Sequence, residues 1–303
     1  MSRAGFPPII ITGAQRSGTS LLAHLLQQLG LFIGKEFKEF LTGEQTYEAT
    51  YFLGIEGAIL GWSFGKAVWG MPWFSDPAKR KLVCDYMRVV LNAEHVAAYL
   101  GTDLFKKFRT PFELRVPWGW KSPTSIHALP LWLNVFPGAK IVYIYRNGVA
   151  AARSEVMLRS RETNAFRGWV NHWLKLKSKG MALPRDSVFL PALRVSKESV
   201  AVKRWLFYWE YVTKAADEAL AKVPRKNQLS IKFESLIENP ASVLEEACEF
   251  IGLSVSPKKI KAIAKTVKAE QLDAFLRDPK YRKIYNSFKK KSPQMITYGY
   301  DKL

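Results

Sequence analysis

Eight residues near the start of the chain carry the first chemistry. Gly13-Ala14-Gln15-Arg16-Ser17-Gly18-Thr19-Ser20 fits G-x-x-x-x-G-K-[ST] at every fixed position but one, where Thr19 replaces the lysine. Between a strand and a helix, the backbone N–H groups of such a loop and the helix N-terminus form an anion cradle. Gly18 lets the backbone approach closely, and Ser17, Thr19 and Ser20 add hydroxyl donors. Arg16 supplies the positive charge that the missing lysine would have given. The lost lysine, and strands that run into Arg146 and Glu234 rather than an Asp, argue against a magnesium-dependent NTPase.

A second anion site follows the clearest strand pattern, Lys140–Tyr145. That run leads straight into Arg146, and Ser154 lies eight residues on, about two helical turns away. An Arg fork and a hydroxyl converging there suit a phosphate monoester. Two such sites imply a ligand with two separate phosphates. Lys121 follows a third strand pattern and pairs with Arg16 as a candidate electrophilic couple. His127 lies one turn into the next helix. His24 and His95 read as ordinary helix residues. No His or Cys pair has metal-ligand spacing, so no metal is expected.

The elements that must position these groups alternate. Ile9–Thr12 reads as a buried strand, and Ser17–Leu29 as a helix stopped by Gly30. Ser75-Asp76-Pro77 starts a long helix that should run to Gly101. Val116–Lys121 reads as a strand, followed by a helix from Ser122-Pro123 to about Phe136. Helices from Asn147 and over Lys197–Lys222, a strand over Gln228–Phe233 and a helix over Pro240–Ile251 complete the pattern. This predicts a single α/β domain over 1–303, with a P-loop-like three-layer fold and a mainly parallel sheet flanked by helices. In such sheets ligands sit at the C-terminal strand ends. Residues 30–75 are rich in Gly and aromatics with little clean periodicity, and residues 161–200 read as a mixed, basic insertion; the resemblance given below implies that both lie on the side where a second substrate binds.

Composition bounds the reading. The 303 residues are 48% apolar and 24% charged, enough for one large core. The net charge of +20 attracts anions. Residues 258–303, read as a basic C-terminal tail, carry thirteen Lys/Arg against four Asp/Glu, densest at Lys289-Lys290-Lys291. No recognised nucleic-acid module is legible, so no nucleic-acid partner is expected. Cys84 and Cys248 are too few for a disulfide framework. The absence of a membrane-length apolar run and of a signal-peptide pattern predicts a cytoplasmic protein without a transmembrane segment. Ten Trp is a high count; Trp62, Trp69 and Trp73 fall in the 30–75 region.

With these blocks in view, the chain resembles the PAPS-dependent sulfotransferases (PAPS is 3′-phosphoadenosine 5′-phosphosulfate), in their bacterial and tyrosylprotein-type branch. Gln15–Ser20 is similar to the family's 5′-phosphosulfate loop, and Arg146 with Ser154 to its 3′-phosphate motif. Trp118-Gly119-Trp120-Lys121-Ser122-Pro123 and Phe136-Pro137-Gly138-Ala139-Lys140 resemble the K-x-P…FP-x-AK stretch. Ile231–Leu236 with Asn239-Pro240 resembles the late Y-E-x-L…P block, with Phe233 in place of the usual Tyr, so that a hydroxyl contact near the adenine is lost. Tyr298-Gly299-Tyr300-Asp301 is like the branch's L-G-Y-D ending. The resemblance implies transfer of a sulfuryl group from PAPS to a hydroxyl or amine, leaving 3′-phosphoadenosine 5′-phosphate. The acceptor could be an acidic glycan, peptide, lipid or small molecule. The cytosolic branch's His falls on Pro123, so that base does not carry over. The tyrosylprotein-type branch uses a Glu about twenty residues after the loop Arg, which points to Glu36, with Glu48 second and Glu39 and Glu44 as rivals. A degenerate P-loop kinase and a non-enzymatic polyanion binder remain the alternatives.

Overall fold

Two runs rich in β-branched residues, Ile9–Thr12 and Lys140–Tyr145, make the centre of the sheet. The computed structural model describes residues 6–39, 43, 45–60, 76–161, 198–269 and 272–302. Strands β1 (Ile9–Thr12), β4 (Gly119–Lys121), β5 (Lys140–Tyr145) and β6 (Gln228–Lys232) form one parallel sheet in the order β4-β1-β5-β6. Ile9 pairs with Gly119 on one side and Lys140 on the other, and Ile141 pairs with Gln228. This register brings Lys121, Thr12, Tyr145 and Lys232 to one edge, the C-terminal edge.

The two central strands, β1 and β5, are buried on both faces, which is why they read as nearly continuous apolar runs. Alternation along each strand divides the core. Ile9, Ile11, Val142 and Ile144 pack against α1 (Thr19–Leu29), α10 (Pro240–Ile251) and α11 (Pro257–Ala264). Ile10, Trp120, Ile141 and Tyr143 face the other way. There they meet α2 (Thr50–Leu60), α3 (Pro77–Leu91), α6 (Ser125–Val135), α7 (148–161) and α8 (Glu198–Leu220). The result is the expected α/β fold: a parallel sheet between two helical layers. Leu22, Leu25, Leu26 and Leu29 of α1 are nearly fully buried, each worth roughly 1.5–3 kcal/mol in transfer from water.

Several boundaries differ from the sequence reading. The long helix from Asp76 ends at Leu91, not Gly101. The Asn92 side chain donates to the Arg88 carbonyl at 2.7 Å, and Ala93 is extended, so the chain turns before α4 (Ala97–Leu100) and α5 (Thr102–Lys107). The turn lets the Tyr99 hydroxyl reach the Gly119 carbonyl at 2.6 Å. Its start is as read: Asp76 caps Ala78 and Lys79. Strand β4 begins only at Gly119, because Pro117 has no N–H to join a ladder. Phe233 opens α9 (Phe233–Glu238) rather than ending β6.

Part of the 30–75 region is regular. An antiparallel pair, β2 (Phe37–Glu39) and β3 (Gln45–Ala49), leads directly into α2. Residues 61–75 and 162–197, with Trp62, Trp69 and Trp73, lie outside the described residues. The 258–303 segment is no loose tail. After α11 it forms α12 (Ala274–Arg277), α13 (Pro279–Phe288) and α14 (Pro293–Thr297), and buries Phe275, Tyr281, Tyr285, Met295 and Tyr300 in the core.

Candidate active site

The loop after β1 is built to leave donors open. Gly18 is the N-cap of α1 at φ 97° and offers no capping side chain, so the first-turn N–H groups point outward unanswered by a cap. A Cβ at Gly18 would run into the Phe233 ring. Arg16 sits in the left-handed region at φ 67°, a conformation that costs a non-glycine residue energy and is held by its surroundings. The Ser17 hydroxyl is buried and has no hydrogen-bond partner among the described residues. A buried orphan hydroxyl beside a helix N-terminus fits a phosphate-type oxygen. Ser20 is already engaged, donating to the Thr46 carbonyl at 3.0 Å. Thr19 lies at the wall of both cavities described below.

The second site meets the first directly. Arg16 donates from Nε and Nη2 to the Ser154 hydroxyl at 3.2 and 3.1 Å. Arg146 is buried, with its guanidinium 4.1 Å from the centre of the Phe233 ring. Its backbone carbonyl accepts from Trp209 Nε1 at 3.1 Å, which fixes the β5–α7 turn. Burial lowers its pKa to about 10, Glu234 opposes the shift, and Arg16 adds to it. Arg146 therefore stays protonated at neutral pH, a buried cation near a second one. An incoming anion relieves that repulsion. Arg16, Gly18, Thr19, Arg146, Ser154 and Phe233 line a cavity of about 350 Å³, closed farther out by Ile237, Thr266 and Lys268. The run Lys289-Lys290-Lys291 is not among the residues lining this cavity or the one beyond Arg16; Lys268 is the C-terminal-region lysine at this one.

On the other side of Arg16 lies a second cavity, about 340 Å³, bounded by Thr19, Lys38, Glu48, Lys121, Glu155 and Arg159 among others. Lys121 is 2% exposed and donates to Glu48 Oε1 at 2.8 Å and to the Thr46 carbonyl at 3.0 Å. Burial pushes the Lys121 pKa down; Glu48 opposes this, and Arg16 and Lys38 reinforce it. Glu36 stands elsewhere: its side chain is exposed and off the cavity, while its backbone carbonyl accepts from Thr50 N–H. Glu39 reaches the cavity, and Glu44 lies outside the described residues. His127 is held neutral, its pKa pushed down to about 4 by burial, and it lines neither cavity.

Sequence reasoning missed Thr46, Glu155 and Arg159. Glu155 and Arg159 form an i,i+4 ion pair at 2.7 Å on α7. Their spacing was the available signal, though such pairs are common on solvated helix faces. Among the described residues no group of three His, Cys, Asp or Glu side chains could hold a metal ion. No helix among them is long and apolar enough to cross a membrane.

Comparison with solved structures finds a sulfotransferase domain from the curacin biosynthetic pathway, 15% identical, with a TM-score of 0.45 over 90% of this chain and 81% of that one. A sulfotransferase domain from the Synechococcus PCC 7002 olefin synthase is 18% identical, with a TM-score of 0.44 over 93% and 85%. A Mycobacterium avium sulfotransferase is 12% identical, with a TM-score of 0.44 over 95% and 77%. No curated protein sequence matches. Residues 7–196, which include the phosphate loop, Lys121, Arg146 and Ser154, match the sulfotransferase family as a sequence profile, and the chain belongs to that family.

Proposed function

We propose that the protein transfers the sulfuryl group of PAPS to a hydroxyl or amine of a polar acceptor. The observation that carries this reading is the Arg16–Ser154 contact, which joins the phosphate loop to the Arg146 turn in one wall. That wall matches a donor with phosphate groups at both 5′ and 3′ positions. In this reading the α1 N-terminus, Ser17 and Thr19 hold the 5′-phosphosulfate. Arg146 and Ser154 hold the 3′-phosphate. Phe233 and Ile237 offer the base an apolar surface.

The transfer is an in-line displacement. The acceptor oxygen or nitrogen bonds to sulfur while the bond from sulfur to the bridging phosphate oxygen breaks, and 3′-phosphoadenosine 5′-phosphate leaves. Arg16 and Lys121 face the negative charge that develops on the leaving oxygen. Glu48, beside Lys121 at the cavity wall, takes the acceptor proton. Glu48 replaces Glu36 in this role because Glu36 is exposed and off the cavity. Pro123, where the cytosolic branch has its His, supports a carboxylate base and the bacterial and tyrosylprotein-type branch. Lys38 and Arg159 beside Glu39 and Glu155 favour a polar acceptor, such as a glycan or peptide, over an apolar one.

Calorimetry with 3′-phosphoadenosine 5′-phosphate in metal-free buffer tests the donor site. The wild type should bind it at micromolar Kd, and Arg146→Ala should weaken binding by about a hundredfold or more, since it removes a buried charge pair with the phosphate. No binding, or binding of ATP only with magnesium, would overturn the assignment.

A further inference from the structure

Glu56 belongs to neither cavity, yet it is a carboxyl group with no solvent exposure at all. A carboxylate in an apolar core is costly unless its charged form is hydrogen-bonded. Four donors reach it. Ser122 Oγ and Thr124 Oγ1 donate to Oε2 at 2.5 and 2.7 Å, Trp132 Nε1 donates to Oε1 at 3.0 Å, and Ser125 Oγ also donates to Oε1. Three of these belong to the turn that directly follows Lys121.

The direction of the donors is set by other groups. Trp120 Nε1 donates to Ser125 Oγ at 3.0 Å, and the Thr124 backbone N–H donates to Ser122 Oγ at 3.2 Å. An indole and a backbone N–H can only donate. Each therefore occupies an acceptor position on the hydroxyl and leaves its proton for Glu56. Burial pushes the Glu56 pKa up, and the hydrogen bonds from Ser122, Ser125, Thr124 and Trp132 oppose that.

Glu56 also stands on the element that carries Glu48. Strand β3 runs directly into α2, so the stretch 45–60 holds both Lys121 and the turn that follows it. Glu48 and the Thr46 carbonyl take its ammonium group, and Glu56 takes the turn behind it. We propose that Glu56 is a positioning residue: by fixing the 122–125 turn it sets where Lys121 Nζ stands between Glu48 and the phosphate loop. The proposal rests on the reading of Lys121 as the working cation.

Acetylation of individual lysines by acetic anhydride, followed by peptide mass spectrometry, tests it without a substrate. Glu56→Gln keeps the shape but turns an NH2 group toward hydroxyls already aimed to donate. Lys121 should then acetylate about tenfold faster, corresponding to loss of one or two buried hydrogen bonds. Lys140, which donates to the Phe250 carbonyl far from the turn, should not change. Glu48→Gln should also speed Lys121 and serves as the positive control. An unchanged Lys121 rate in folded Glu56→Gln, or equal acceleration of Lys140, would overturn the proposal. Should Glu56→Gln fail to fold, Thr124→Val and Ser125→Ala, each removing one donor, carry the same comparison. Binding of 3′-phosphoadenosine 5′-phosphate by the same wild-type sample judges the donor reading separately. Its absence would sink that reading, while the Lys121 rate would still decide whether Glu56 positions the lysine.

Discussion

Lys121 and Glu48 are a nearly enclosed ion pair at the edge of a parallel sheet, and their separate roles can be pulled apart by substitution. Glu48→Gln keeps an oxygen for Lys121 but removes the carboxylate proposed as the base. It should lower kcat for transfer from labelled PAPS by about 10²–10⁴-fold while leaving the Kd for 3′-phosphoadenosine 5′-phosphate within a few fold. A parallel loss of donor binding would show that Glu48 acts through Lys121 and the loop instead. Arg16, Ser17, Gly18, Arg146 and Ser154 could be proposed from the sequence because each follows a strand run at a fixed spacing. The choice between Glu36 and Glu48 could not. Glu36 precedes β2 and Glu48 lies in β3, and it is the tertiary packing of β3 beside β4, not a local pattern, that sets Glu48 against Lys121 and leaves Glu36 exposed.

Among the elements, α6 links the Lys121 turn to the core and carries a built-in pH response. His127 is buried on this helix, with its pKa lowered from 6.5 to about 4. The unfolded chain takes up that proton near pH 6.5, whereas the folded chain does so only near pH 4. Stability should therefore be lost as pH falls through this window, by up to about 3 kcal/mol from this group. Urea melts of wild type and His127→Phe between pH 7 and pH 4 test this. The wild-type curve should drop more steeply, and equal slopes would show that other groups carry the acid sensitivity. The start of α3 was legible because Asp76 and Pro77 are local signals. Its end was not, because Asn92 breaks it in order to bring Tyr99 onto Gly119, a contact 20 residues away in sequence.

At the scale of the whole molecule, the C-terminal segment closes the fold over the strand ends. Tyr300 is fully buried and its hydroxyl donates to Glu234 Oε2 at 2.6 Å; Glu234 Oε1 in turn accepts from the Asn147 backbone N–H at 3.2 Å, next to Arg146. The Tyr298 hydroxyl donates to Asp217 at 2.7 Å and lies 3.1 Å from that of Tyr143 in the sheet. A chain ending at Phe288 loses Met295 and Tyr300, both at 0% exposure. The loss should be on the order of 5 kcal/mol, a large part of a typical domain's whole stability. Denaturant unfolding should show either a large downward shift in midpoint or no cooperative transition. A midpoint near wild type would mean that the segment only covers the sheet.

The sequence by itself determined the four strands of the parallel sheet and the polar residues that follow each of them, since these are written in residues close together in the chain. It could not say that the basic C-terminal stretch is part of the core: its apolar residues are sparse, and they find partners on β5, α8 and α9, far earlier in the chain. Nor could it pair Arg16 with Ser154, 138 residues apart, or place Glu56 behind Lys121. Those pairings exist only once a parallel sheet sets β1, β4 and β5 side by side, because crossover connections make neighbours of segments that local spacing keeps far apart.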